Sequence, residues 1–212
     1  MAFWSDASSF ATGAGTLVLA VATFASVRSA NRSARTAEQA LQEARRPVLV
    51  HSRLEDPVQK IAFIDAHWVS VGGGRAVAEQ RGDIIYLVMS VRNVGAGIAV
   101  LQGWAARPGL VRANEDPAAE GDVHLLTRDL YVPAGDIGIW QGALRDPEHA
   151  QHGALREAIE QRGPFSIELH YTDNVGGQRT ISRFTIAPSG DEGWMASVGR
   201  HFYLDGHSPR DR

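Results

Sequence analysis

Ile85-Tyr86-Leu87-Val88-Met89-Ser90-Val91-Arg92-Asn93-Val94-Gly95-Ala96-Gly97-Ile98-Ala99-Val100-Leu101-Gln102-Gly103-Trp104 reads as strand, turn and strand. Ile85, Leu87, Met89 and Val91 alternate with Tyr86, Val88, Ser90 and Arg92, which is the period of two of a β-strand. The second face is apolar as well, so the strand is expected at the centre of a sheet. Asn93 to Gly97 supplies the turn, with the Asn93 side chain capping its amides. Gly95-Ala96-Gly97 after a strand also begins a dinucleotide fingerprint. That fingerprint needs Gly or Ala where Val100 stands and a helix behind it, so a tight β-turn is the reading.

The same grammar continues on both sides. Pro47–Leu54 reads as a first strand and Ile61–Val69 as a second. A Gly-rich turn is expected from Gly72 to Gly82. Residues 107–122 read as an exposed loop, with short apolar runs following at Val123–Leu126 and Ile137–Trp140. Phe165, Ile167, Leu169 and Tyr171 alternate with Ser166, Glu168, His170 and Thr172. Asp173 to Gly177 then turns the chain into Thr180–Ile186 as a hairpin. A last short strand is expected at Arg200–Leu204. One helix interrupts the series. Asp146 is its expected N-cap and Pro147 its first residue, with Ala150, Ala154, Leu155, Ala158 and Ile159 as its apolar stripe and Gly163-Pro164 as its end. The expected fold class is mainly β, a β-sandwich with one inserted helix.

Asn93-Val94-Gly95-Ala96-Gly97-Ile98-Ala99 resembles the Asn-x-Gly-x-Gly-x-Ala hairpin of bacterial immunoglobulin-like adhesion domains of the CARDB type. The whole layout is also similar to that of uncharacterised bacterial single-pass membrane proteins. These have an N-terminal span, an Ala/Arg/Glu-rich helix, an Arg-Pro junction (here Arg46-Pro47) and a β-domain. The resemblance implies an immunoglobulin-like sandwich and no particular chemistry. The insertion from Pro108 to Gly163 departs from a minimal domain of that kind and leaves the strand count open.

The N-terminal part has a different composition. No charged residue occurs from Ala7 to Val27, and Thr16–Ala25 is apolar. About 20 mostly apolar residues suffice to cross a bilayer. Residues 1–27 are therefore expected as a transmembrane segment, with Phe3 and Trp4 at the outer interface. A cleaved secretory signal and a buried helix are the competing readings. Five arginines (28, 32, 35, 45 and 46) and two glutamates follow in residues 28–46. That asymmetry places residues 28–212 in the cytoplasm and the N-terminus outside. Ala30, Ala34, Ala37, Leu41 and Ala44 are spaced as a short heptad seam, so residues 28–46 read as a juxtamembrane helical connector ended by Pro47. Homo-oligomerisation through residues 13–44 and a monomeric connector are both open. The expected domains are 1–27, 28–46, a β-domain over 47–206 and a flexible tail over 207–212.

The chain has 212 residues, no cysteine and a formal net charge of -3. Disulfides, thiolate metal sites and cysteine nucleophiles are thereby excluded. The mild acidity argues against nucleic acid as a partner.

Candidate chemistry is sparse. Gly72-Gly73-Gly74-Arg75 could cradle an anion, but no P-loop Lys-Ser/Thr follows, so a hairpin connection is favoured. His149 and His152, with Glu148 and Glu157, have the i, i+3 spacing of a metal pair on a helix, against the plainer reading of solvated surface. His170 with Asp173 could join a serine triad in space, though no Gly-x-Ser-x-Gly elbow is present. Trp68, Trp104, Trp140 and Trp194 read as core, with a ligand groove as the alternative. No residue is assigned as catalytic, cofactor-binding or metal-ligating, and no cofactor is expected. The leading expectation is a membrane-anchored, non-enzymatic binding or scaffolding protein, with the lipid bilayer and an unidentified cytoplasmic protein as partners. A metal- or small-molecule-binding sensor or hydrolase built on His149 and His152 is one alternative. An extracytoplasmic envelope or adhesion domain is the other.

Overall fold

The structure, a computed structural model, describes residues 2–190 and 193–205, and for residues 2–16 and Val18 the backbone alone. The chain divides into two units at Ala44/Arg45. The first holds one helix, α1 (Ala2–Ala44), which runs unbroken through both expected N-terminal segments. It stops three residues before Pro47, which cannot continue the hydrogen-bond ladder. Among the described residues no helix is long and apolar enough to cross a membrane. The cause is dilution: Ala, Ser, Thr and Gly are interleaved with the leucines and valines of residues 7–27. The expected tail, 207–212, lies outside the described residues.

The second unit is mainly β. Its strands are β1 (Leu49–His51), β2 (Gln59–Ala62), β3 (Trp68–Val71), β4 (Arg75–Arg81), β5 (Ile84–Asn93), β6 (Ala99–Pro108), β7 (His124–Val132), β8 (Ile137–Leu144), β9 (Phe165–Asp173), β10 (Thr180–Ser189) and β11 (Gly193–Tyr203). A helix, α2 (His152–Glu160), lies between β8 and β9. Nine strands form one antiparallel sheet in the order β1-β5-β4-β11-β10-β9-β6-β7, with β8 also paired to β5. β8 follows one edge of β5 from Ile85 to Arg92. The other edge is shared by β4, opposite residues 84–89, and β1, opposite residues 91–93. The sheet curls, so that β6 and β8 meet through their side chains. Trp104 and Trp140 pack edge to face with ring centroids 5.2 Å apart.

β5 is buried on both faces, as its alternation predicts. Ile85, Leu87, Met89 and Val91 enter the main core with Leu49, Leu101, Trp104, Trp140, Phe165, Ile167, Leu169 and Phe184. Tyr86 and Val88 enter a second, smaller cluster with Phe63, Val69 and Val71. The β2–β3 hairpin covers that second face.

Asn93 holds the end of β5 in place. It is fully buried. Its Oδ1 accepts from the amides of Val48 (3.1 Å) and Gly95 (3.0 Å). Its Nδ2 donates to the carbonyls of Gly97 (2.7 Å) and Val132 (2.9 Å). The two glycines are required by close approach. A Cβ on Gly97 would lie 1.8 Å from the Arg45 carbonyl oxygen, and one on Gly95 2.2 Å from that of Arg46. The Asn-x-Gly-x-Gly pattern thus serves to dock the start of the domain against the β5–β6 connection, which is not the expected hairpin, because β5 pairs with β1, β4 and β8 and β6 with β7 and β9.

Several expected elements differ. Ile61–Val69 is not one strand but the β2–β3 hairpin. Its turn is closed by Phe63 N–H to His67 O (2.8 Å) and by Ala66 at φ 59°. The Gly72–Gly82 turn is largely β4, whose inward residues Ala76 and Ala78 are too small to signal a strand. The glycine triplet itself is a close-approach site, because a Cβ on Gly73 would fall 1.9 Å from the Arg53 carbonyl oxygen. The inserted helix starts at His152, not at Pro147. Asp146 instead caps the preceding turn, accepting from the Glu148 amide at 3.0 Å. The buried face of α2 is His152 and Leu155, with Ile159 packed against the core, while Ala150 and Ala154 are exposed. The last strand is longer than expected and spans Gly193–Tyr203.

Candidate functional site

The outer face of β9 lies under the loop that follows β6 and borders a cleft. Sequence alternation places Ser166, Glu168, His170 and Thr172 on that face, with His170 expected as a surface histidine. The structure covers them. Glu168 is fully buried and bonds Arg183 of β10, Nε to Oε1 at 2.7 Å, with Arg183 only 2% exposed. A buried ion pair must satisfy its remaining donors and acceptors to offset desolvation. This one does so through the loop after β6. Arg183 donates to the carbonyls of Arg112 (2.9 Å), Glu115 (3.1 Å) and Asp116 (2.8 Å). Glu168 Oε2 accepts from the Ala118 amide at 2.7 Å. Arg107 donates to Asp116 O (3.0 Å), and Arg200 donates to Ala113 O. The loop read from sequence as exposed is therefore clamped by three arginines.

Beside this clamp lies a cleft of about 550 Å³. Pro117, Ala118, Val123, Leu125, His170, Ile181 and Leu204 are among the residues that line it. Gln102 enters from β6 at a β-bulge, where two residues of β6 advance against one of β9. Such bulges re-aim a side chain and locally break the ladder. Burial lowers the pKa of His170, which keeps its imidazole neutral near pH 7. Arg179 at the cleft is committed to Asp205. It donates from its backbone amide (2.8 Å) and from Nε and Nη2, the latter at 2.6 Å. Those bonds hold the Asp205 carboxyl at about 2.

The residues singled out by spacing fall elsewhere. His149 and His152 do not face one space. His152 is buried, with its Nε2 2.7 Å from the Asp83 carbonyl oxygen. His149 lies in the turn before α2, where its Nδ1 accepts from the Gln151 amide. The imidazole it meets is that of His124, with ring centroids 4.7 Å apart. His124 also stacks on Trp104 at 4.5 Å, and burial together with His149 lowers its pKa. Among the described residues no group of three or more His, Cys, Asp and Glu could hold a metal ion. His170 and Asp173 form no triad. Asp173 caps the β9–β10 turn, accepting from the amides of Gly177 (2.8 Å) and Gln178 (3.1 Å). Trp104, Trp140 and Trp194 are core, whereas Trp68 is 58% exposed beside Lys60.

Two polar clusters escaped sequence reading. Ser182 Oγ lies 2.7 Å from His201 Nδ1 and 2.9 Å from the Tyr171 hydroxyl. This has the contacts of a nucleophile and its base. Ser182 is fully buried, however, and Tyr171 also receives the Leu49 amide at 3.1 Å. The chain of bonds ties β1 to β9, β10 and β11. Burial raises the Tyr171 pKa to about 12. On the far face, Tyr86 donates to Asp65 Oδ2, which also accepts from Arg145 at 2.8 Å. These bonds lower the Asp65 pKa to about 2. They pin the β2–β3 turn to β5 and β8.

No protein-family model and no curated protein matches the sequence. Among solved structures, a beta-glucosidase from Kluyveromyces marxianus is similar at 16% identity, over 65% of this chain and 15% of that one, with a TM-score of 0.20. A likeness at that score carries no argument about fold or activity.

Proposed function

We propose that the chain is a non-enzymatic binding or scaffolding protein held at a membrane by α1, with its β-domain on the cytoplasmic side and offered to a protein partner. One observation carries the reading. Leu17, Leu19, Val21, Phe24 and Val27 are each more than half exposed, along a stretch without a charge. Water is a poor solvent for such a row, and acyl chains are a good one. Arg28, Arg32 and Arg35 follow at once, where a basic collar meets anionic headgroups at about 1 kcal/mol per residue. The reading asks that the apolar part of α1 enter lipid.

The Asn93 turn and the curled, mainly β sheet support an immunoglobulin-like sandwich of the CARDB type as the form of the β-domain. Self-association through residues 13–44 accompanies this reading, because Ala30, Ala34, Ala37, Leu41 and Ala44 are exposed and share one seam. Flotation of the purified full chain with phosphatidylcholine vesicles, with and without phosphatidylglycerol, tests the tether. The chain should float, more completely with the anionic lipid, and the double variant Leu19→Asp, Phe24→Asp should stay at the bottom. A full chain that stays at the bottom with both vesicle types contradicts the proposal.

A further inference from the structure

His149 sits where the fold has three reasons to keep its ring uncharged. The first is a hydrogen bond. Its Nδ1 accepts from the Gln151 amide at 3.3 Å, and an imidazole protonated at both nitrogens accepts nothing. Gln151, the N-cap of α2, makes no capping bond with its own side chain. The second reason is the helix. α2 begins at His152, and the N-terminal end of a helix carries partial positive charge that disfavours a cation. The third is His124, whose ring lies 4.7 Å from that of His149 between centroids. His124 is held by its stacking on Trp104, and its Nε2 is shielded from solvent with no hydrogen-bond partner among the described residues. Each ring thus opposes charge on the other.

The groups that face this pair do little to offset those costs. Asp146 and Glu148 share the turn with His149, and both are exposed. Asp146 Oδ1 is already engaged by the Glu148 amide at 3.0 Å. Asp122, just before β7, favours charge on His124, but burial and His149 oppose it more strongly. β6 presents Trp104, an uncharged ring. His152, in the first turn of α2, donates from Nε2 to the Asp83 carbonyl at 2.7 Å, a bond that protonation preserves. The same turn anchors α2. His149 donates its amide to Asp146 O (3.2 Å), and its carbonyl accepts from the His152 amide (2.9 Å). Beyond it α2 packs on β6 and β4, with Leu155 fully buried and Ile159 against the main core.

We propose that His149 is an acid-sensitive latch. When its ring takes a proton, the turn over 146–151 releases the start of α2, which opens locally and uncovers the apolar surface around Leu155 and Ile159. The imidazole is the side chain whose charge changes between about pH 5 and 8, so the latch works in that interval. This inference stands on the β-domain alone and is independent of the lipid reading.

The test is hydrogen–deuterium exchange of the full chain, expressed as protection factors so that the pH dependence of intrinsic exchange is divided out. Between pH 7.5 and 5.5 the protection of the amides over 155–161 should fall by about tenfold or more, the worth of one hydrogen bond and one adverse charge at a helix start. It should fall further than the protection of β5. His149→Asn keeps an acceptor two residues before the Gln151 amide but takes no proton, so the excess fall should vanish. His149→Lys removes the acceptor and keeps a charge, so the low protection should already be present at pH 7.5. Protection over 155–161 that is equal at the two pH values, or that falls only in step with β5, overturns the proposal. So does a His149→Asn chain that retains the whole fall, or a His149→Lys chain as protected at pH 7.5 as the parent.

Discussion

Replacing Asn93 should damage the fold in a way that reveals the direction of each of its hydrogen bonds. The side chain is fully buried and makes four of them, two as acceptor and two as donor. At about 1 kcal/mol net for each bond, Asn93→Ala should cost about 3–4 kcal/mol. For a domain of this size that is a fall of about 10 °C in Tm. Asn93→Asp is the sharper variant. Its Oδ1 still accepts from Val48 and Gly95, but an anionic oxygen then faces the carbonyls of Gly97 and Val132, which the amide met at 2.7 and 2.9 Å. Two attractions become two repulsions, so Asp should be at least as costly as Ala at pH 7. As pH falls and the carboxyl protonates, one donor returns and part of the loss should be recovered. Urea unfolding followed by the fluorescence of the buried Trp104, Trp140 and Trp194 reads both variants. The midpoint should fall with an unchanged slope. An Asn93→Ala protein within about 1 kcal/mol of the parent, or an Asn93→Asp protein as stable as the parent at pH 7, would refute the reasoning.

Three further outcomes follow from the same geometry. Gly97→Ala should destabilise by more than Gly82→Ala in the same urea assay, because a Cβ at Gly97 would strike the Arg45 carbonyl oxygen whereas Gly82 has open space and only its positive φ to lose. Glu168→Gln should cost about 3–5 kcal/mol, since it leaves the Arg183 guanidinium buried without its counter-charge, and limited proteolysis should then cut first within 109–118. Stability should decline as pH falls below about 6.5, because burial lowers the pKa values of His124, His170 and His201 in the folded state. The unfolded chain then binds protons that the folded one refuses, so urea midpoints should be lower at pH 5.5 than at 7.5, and flat midpoints over that interval would contradict the burial of these rings.

The strands that alternate large apolar residues were legible in the sequence. β5 and β9 fall where the period of two places them, and the Asn93 turn was legible from Asn93 and the glycines after it, whereas the close approach that requires those glycines was not. β4 was not, since Ala76 and Ala78 bury too little area to stand out. The β2–β3 turn was hidden because Phe63-Ile64-Asp65-Ala66-His67 contains neither Gly nor Pro, and Ala66 takes the left-handed conformation without announcing it. The burial of Glu168 was not legible, for a different reason. Alternation assigns a face, and it says nothing of what covers that face. The cleft was out of reach altogether. Its walls come from β6, the clamped loop, β7, β9, β10 and Leu204, so no local spacing links Gln102, Leu125, His170 and Thr180. The His149–His152 pairing failed likewise, because His149 precedes the helix and its true neighbour, His124, is distant in sequence.

The central claim is that α1 holds the β-domain at the cytoplasmic face of a membrane. Its most direct test is a pair of fusions after Arg212 in intact bacterial cells, one reporter active only in the cytoplasm and one only outside, read together with membrane fractionation. The account predicts full-length protein in the membrane fraction and signal from the cytoplasmic reporter alone. Signal from the outer reporter, or full-length protein in the soluble fraction, would contradict it, and the former would make an extracytoplasmic envelope or adhesion domain the reading to pursue.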